Sequence, residues 1–177
     1  MRICWQVLIY LLLSAGYYWV AEAGVMKHRD IITMLKKVGD TIINRKHRAT
    51  CHCGSVELEV DLPHGIVDPQ RCDCSICRRK GAVVASVPLS GVKIVKGEDV
   101  LSLYQFDTKE AKHYFCSICG IYTHHKRRSN PDQYGINIGC LEGVNPYLIE
   151  NVPTSDGINH PSDRNNWFQV WTWNQEM

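Results

Sequence analysis

A chain of 177 residues with 45% hydrophobic and 21% charged residues has room for one domain with a real core and is too apolar to be a disordered chain. The net charge of +2 hides an asymmetry: residues 1–50 carry eight Lys/Arg against three Asp/Glu, and residues 51–177 carry twelve against fifteen. The larger part is mildly acidic and lacks the broad basic face that nucleic-acid binding needs, so no nucleic-acid partner is expected.

Ile3 to Ala21 is a run of 19 residues without a charge, close to the length that spans a bilayer. Tyr17, Tyr18 and Trp19 sit at its end like an interfacial belt. Ala21-Glu22-Ala23 followed by Gly24 also fits a secretory cleavage site. Residues 1–25 are therefore read as an apolar leader, either a signal peptide or a membrane anchor, through which membrane contact is expected. A start at Met26 would omit the leader. If it stays in the bilayer, Lys27 and Arg29 favour a cytoplasmic-facing domain, whereas cleavage would mean the secretory route.

Asp30 to Ile43 repeats apolar residues at a helical period, with Ile31, Met34, Leu35, Val38 and Ile42 on one stripe and Lys36, Lys37 and Asp40 facing away. Residues 26–47 are assigned to an amphipathic helical segment and linker, the polar run Asn44 to Thr50 leading into a domain over 48–177. From there the texture changes. V-E-L-E-V alternates as a half-exposed strand does, and A-V-V-A-S-V-P, V-K-I-V-K-G, S-L-Y-Q-F, K-H-Y-F-C, Y-G-I-N-I-G-C-L and F-Q-V-W-T-W read as further short strands. The domain is expected to be mainly β.

Nine cysteines occur, and seven form three clusters: Cys51 and Cys53 in C-H-C-G, Cys72, Cys74 and Cys77 in C-D-C-S-I-C, and Cys116 and Cys119 in C-S-I-C-G. Cys4 and Cys140 stand apart and are expected to be inert. Disulfides explain the seven poorly, because next-but-one cysteines bridge only with strain and an odd set leaves a thiol over. Zinc takes four thiolates in a closed structural site, or three protein ligands plus an open position in a catalytic one, and seven is four plus three. The two pairs, each followed by a turn-forming glycine, can close one tetrahedron. The triplet is then self-contained, with its fourth position left to water or substrate. Asp73 and Ser75 lie between its ligands, and Arg78, Arg79 and Lys80 follow as candidate contacts for an anionic substrate.

These residues amount to a signature. C-H-C-G-S-V-E-L-E-V, C-D-C-S-I-C, F-D-T-K-E-A-K-H-Y-F-C-S-I-C-G, R-S-N-P-D-Q-Y-G-I-N-I-G-C-L and the late D-G-I-N-H-P together resemble the glutathione-dependent formaldehyde-activating enzyme family, which also takes in centromere protein V, over about residues 48–163. The resemblance implies a β-tent-like fold of several coiled antiparallel sheets stapled by zinc, here with an N-terminal helical extension. It implies two Zn2+ per chain, one on Cys51, Cys53, Cys116 and Cys119 and one on Cys72, Cys74 and Cys77. It also implies a carbon–sulfur lyase that forms or breaks down S-hydroxymethylglutathione, with glutathione as the small thiol partner. Asp73 and His113 are candidates for the general base. The alternative reading is a non-catalytic zinc-binding interaction module. One departure stands out. Where family members place an aromatic pair and a proline before R-S-N-P, this chain has His124, His125, Lys126 and Arg127; paired histidines on a loop there would be solvated, or would serve as extra ligands.

Overall fold

The structure is a computed structural model that describes residues 33–159. The apolar leader, the first residues of the expected helix and the F-Q-V-W-T-W run lie outside the described residues. In chain order the elements are β1 (Met34–Leu35), β2 (Lys37–Val38), β3 (Thr41–Ile42), β4 (Lys46–Thr50), β5 (Glu57–Asp61), β6 (Ile66–Val67), β7 (Arg71–Cys72) and the four-residue helix α1 (Cys77–Lys80). They continue with β8 (Val84–Pro88), β9 (Val92–Lys96), β10 (Leu101–Tyr104), β11 (Lys112–Cys116), β12 (Tyr122–Lys126), β13 (Gln133–Asn137) and β14 (Thr154–Ser155). The domain is mainly β, and its strands form a five-stranded sheet in the order β10-β11-β12-β13-β8, a three-stranded sheet β4-β5-β9, and three two-stranded pairs.

The alternation read in V-E-L-E-V is the reason β5 works as the middle strand of the smaller sheet. Leu58 and Val60 are buried, while Glu57, Glu59 and Asp61 turn outward. That outer face is laced by ion pairs to β4 and its neighbours: Arg48 to Glu57 at 2.8 Å, Lys46 to Glu59 at 3.4 Å and Arg45 to Asp61 at 3.3 Å. Arg48 also reaches Glu142 at 2.8 Å, and hydrogen bonds from Glu57 and Glu142 hold its guanidinium above its ordinary value. Leu58, Val60 and Ala49 from this sheet join Ala85, Val87 and Ile136 from the larger one in a single buried cluster.

Two readings of the N-terminal part are corrected. Residues 33–43 are not helical. Gly39 adopts φ 54° at the first position of a two-residue loop joining β2 to β3, and Ile43 N donates to Lys36 O at 2.9 Å to close the hairpin. The supposed stripe is not one face: Val38 is buried, but Met34 and Ile42 are 55% and 67% exposed. β1 instead pairs with β6. The helical period arose because short strands separated by single turns also return an apolar residue every three or four positions. Asn44 to Thr50, read as a linker, contains β4, with His47 and Ala49 buried on its inner face.

Leu58 is 1% exposed in the middle of this core. Leu58→Ala should lower the unfolding free energy by about 2–5 kcal/mol, seen as an earlier denaturant midpoint.

Candidate metal centres and their surroundings

The four-cysteine group is built from two strand ends. Cys51 follows the last residue of β4, and Cys116 is the last residue of β11. Each is succeeded by a tight turn closed by a glycine: Gly54 N donates to Cys51 O at 3.1 Å and Gly120 N to Cys116 O at 2.8 Å. A Cβ on either glycine would meet nothing within 4 Å, so it is the φ of 70° and 72° that calls for glycine. Val56 N points at Cys51 Sγ, 3.2 Å away. Cys51 Sγ lies 3.6 Å from Cys53 Sγ, which lies 3.8 Å from Cys116 Sγ. Those separations are far beyond a disulfide and close to the edge of a thiolate tetrahedron around zinc, ~3.8 Å for a metal–sulfur bond of ~2.3 Å. All eight cysteines among the described residues are free.

The second group gathers Cys72, Cys74 and Cys77, whose sulfurs, like those of the first group, all lie within 4.8 Å of one another. β7 supplies Cys72 and α1 supplies Cys77; Arg78 N donates to Cys74 O at 3.1 Å, and Gly81, at φ 63°, ends the helix by donating to Cys77 O at 3.0 Å. Crowding splits the thiol acidities. A hydrogen bond from Cys77 is the main cause that brings Cys72 down to about 5, and the same bond with Cys72 pushes Cys77 up. Such a set loses its remaining protons readily only to a cation. The donor chemistry of both groups therefore fits a soft divalent metal, and among the described residues the triplet gains no fourth His, Asp or Glu ligand.

A strap from the end of the described chain covers one side of the triplet. β14 runs parallel to β7, and Asp73 Oδ1 accepts from Gly157 N at 2.7 Å and Ile158 N at 3.3 Å. A Cβ on Gly157 would stand 2.4 Å from Cys72 Sγ and 2.7 Å from Cys74 Cβ. The late D-G-I is thus part of the site, and Asp73 serves as its anchor.

The neighbourhood of the triplet was largely invisible in the sequence. Of the three cations after Cys77, Arg78 and Arg79 are exposed, Arg79 being held by Ser75 O. Lys80 turns inward. Its Nζ lies 2.9 Å from His113 Nδ1 and 3.8 Å from the centre of the Tyr122 ring. Burial lowers the Lys80 ammonium to about 8, against the opposing pull of Cys77 and Cys74. His113 stacks on Phe106 and His125 at 5.9 and 5.3 Å and is lowered to about 4, chiefly by burial. Its contact toward the triplet is with Lys80. Arg71, Lys80, Asn137 and Tyr147 line a cleft of about 160 Å³ beside this region.

His124 and His125 are not on a loop. They lie in β12, the central strand of the larger sheet, and face opposite sides. His124 is 3% exposed, stacked on Tyr114 at 4.6 Å with the Tyr134 edge at 5.2 Å. His125 shares a short hydrogen bond with the Tyr122 hydroxyl, which also donates to Gly135 O at 3.2 Å. A Cβ on Gly135 would meet the His125 ring at 2.3 Å. Among the described residues, neither imidazole belongs to a metal-holding group. The available signal was Y-T ahead of H-H, a β-prone pair closely following a knuckle.

The fold and site define a mainly β domain with one four-cysteine and one three-cysteine cluster, each able to hold a metal ion. Residues 46–152 match the profile described as glutathione-dependent formaldehyde-activating enzyme, and the chain belongs to that family. A Halomonas elongata protein that carries the provisional name of glutathione-dependent formaldehyde-activating enzyme is 37% identical over 78 residues, 40% of this chain and 49% of that protein. The chain thus spans about half the length of this curated relative. A crystal structure of a Rhodobacter sphaeroides protein superposes with a TM-score of 0.59 at 56% identity, over 61% of this chain and 99% of that one.

Two measurements check this geometry. Gly157→Ala should displace Cys72 Sγ and cost the triplet its metal, so elemental analysis should find one ion fewer per chain with the four-cysteine centre still loaded. His124 is lowered to about 4 by burial, below its unfolded value, so the unfolded state binds more protons between these values and stability falls as pH drops from about 6.5 to about 4. That loss amounts to ~3 kcal/mol at most. His124→Phe should therefore show a shallower fall in melting temperature over this window than the parent chain.

Proposed function

We propose that the chain is a zinc-dependent carbon–sulfur lyase acting on a glutathione-type thiol adduct, forming S-hydroxymethylglutathione from glutathione and formaldehyde or breaking it down. The observation that carries this reading is the inequality of the two centres: one offers four thiolates and is complete, while the other offers three and finds no fourth ligand among the described residues. Family membership and the relative's name support the same chemistry. Cys72, Cys74 and Cys77 would hold the ion, which when bound would deprotonate a thiol and act as a Lewis acid on a developing alkoxide.

The chain's own residues have definite tasks in this reading. Asp73 is committed to the Gly157 and Ile158 amides, so it positions the strap and is not free to act as a base. Lys80 is the polar group best placed to exchange a proton with the hydroxyl of the adduct. His113, kept neutral by burial, accepts from the Lys80 ammonium through Nδ1 and fixes its direction. Arg71 and the Lys80 stem form part of the cleft, and the glutathione carboxylates are assigned to that side rather than to Arg78 and Arg79.

With both centres loaded, the protein should accelerate hydroxymethylglutathione formation above the spontaneous rate. Cys74→Ser should abolish that acceleration and one equivalent of zinc while the four-cysteine centre and the melting transition persist. Failure of the loaded parent protein either to bind glutathione or to change this rate would leave it a non-catalytic zinc module.

A further inference from the structure

The cleft beside the triplet has Arg71 and Lys80 in its wall. Arg71 directly precedes Cys72 and Lys80 follows Cys77 by three positions, so the cleft opens alongside the three-cysteine loop. Its volume is about 160 Å³, below the ~300–1,000 Å³ of sites that enclose a whole ligand. It has room for one arm of a peptide-sized molecule.

Tyr147 also lines this cleft and is 89% exposed. Its backbone is fixed: Asn145 Oδ1 accepts from Tyr147 N at 3.1 Å, and Leu148 N donates to Asn145 O at 3.1 Å. Leu148 beside it lies so close to Gly39 that a Cβ there would stand 2.6 Å from Leu148 Cδ1. Among the described residues the Tyr147 ring takes part in no ring contact. An aromatic side chain held in water on a fixed turn forgoes the gain of burial, a loss that a ligand lying against the ring would recover.

The rest of the wall is suited to an anion. Arg71 is exposed and joins none of the ion pairs among the described residues. Gly81, at φ 63°, follows the helical Lys80, a succession that turns neighbouring amides to one side. Gly81 N is used on Cys77 O, but Ala82 N and Val83 N, in two more lining residues, find no acceptor among the described residues. A free guanidinium beside unpaired amides matches a carboxylate.

We propose that this cleft is the subsite for one carboxylate-bearing amino-acid arm of the thiol, with Arg71 and Ala82 N on the carboxylate and the Tyr147 ring against the peptide plane, and that Tyr147 sets a preference for a peptidyl thiol over a small one. The proposal rests on the reading of the triplet as a centre for a glutathione-type adduct and deepens it. Glutathione carries two such arms, γ-glutamyl and glycyl, and the cleft admits one.

The test titrates the zinc-loaded full-length chain with S-methylglutathione, whose blocked sulfur removes thiolate ligation from the measurement. Tyr147→Ala should weaken binding about three- to tenfold, and Tyr147→Phe should keep the parent affinity. Arg71→Gln should weaken it by about tenfold or more. Melting temperature and zinc content should stay at the parent values in Tyr147→Ala. Parallel titrations with S-methyl-γ-glutamylcysteine and S-methylcysteinylglycine name the arm: the dipeptide that retains it should remain sensitive to Tyr147→Ala, and the other should not. No binding by the parent, an unaltered affinity in Tyr147→Ala, a phenylalanine variant as weak as alanine, or equal behaviour of the two dipeptides would overturn the proposal. The expected pattern in a protein that leaves the rate of hydroxymethylglutathione formation unchanged would remove the reaction and keep the subsite; acceleration without the pattern would do the reverse.

Discussion

Crowding of thiols is the constraint around which this domain is arranged. Sulfurs 3.6 and 3.8 Å apart cannot all ionise in a poorly solvated place without a cation among them. In the bare chain the conflict shows as a division of acidities, Cys72 driven down while Cys77 is driven up. At the other centre burial takes Cys116 up to about 11. A metal that binds all the thiolates at once removes this conflict, so its binding free energy is also folding free energy. A metal on the four-cysteine centre would apply that energy across a long stretch of chain, since Cys53 and Cys116 are 63 positions apart. It ties the corner after β4 to the corner after β11, joining the end of one sheet to the end of the other.

The two centres differ in how local they are. Gly54 and Gly120 fold two separate knuckles that become a site only when the sheets are assembled. The triplet is made by one short loop between β7 and α1, and what the rest of the chain adds is a wall. The parallel strand β14 and the Asp73 carboxylate bring Gly157 against Cys72 so closely that no side chain fits there. Such a strap leaves less of the triplet open to solvent and, among the described residues, adds no fourth side-chain ligand; on the proposed reading a small molecule would complete the shell.

The centres were legible in the sequence because spacing alone determines a C-x-C or C-x-x-C turn, whatever surrounds it. Most strands of the sheets were legible for a similar reason, since alternation in Glu57–Asp61 or Val92–Lys96 is a local pattern. The failures share a cause as well. Residues 33–43 satisfy a helical period, and only Gly39 at positive φ and the pairing of β1 with β6, 31 or more positions away, turn them into strands. H-H-K-R reads as a solvated run until β11 and β13 close on either side of it. Polar residues in a central strand are set by partners distant in sequence, which no window along the chain contains.

Those same polar residues settle the electrostatics around the triplet. Burial holds His113, His124 and His125 below the ordinary histidine value, so at neutral pH they are uncharged. The uncharged His113–His125 stack beside Lys80 does not screen that cation as water would. Protonated, those two rings would repel it, and carboxylates in their place would neutralise it. The sheet therefore presents neutral rings beside an inward cation that feels Cys77 and Cys74, sulfurs whose complex with a divalent ion would be anionic. On the proposed reading, a fourth thiolate would raise the charge of that complex to −2, and an unscreened cation nearby would help a loop of three cysteines to hold it.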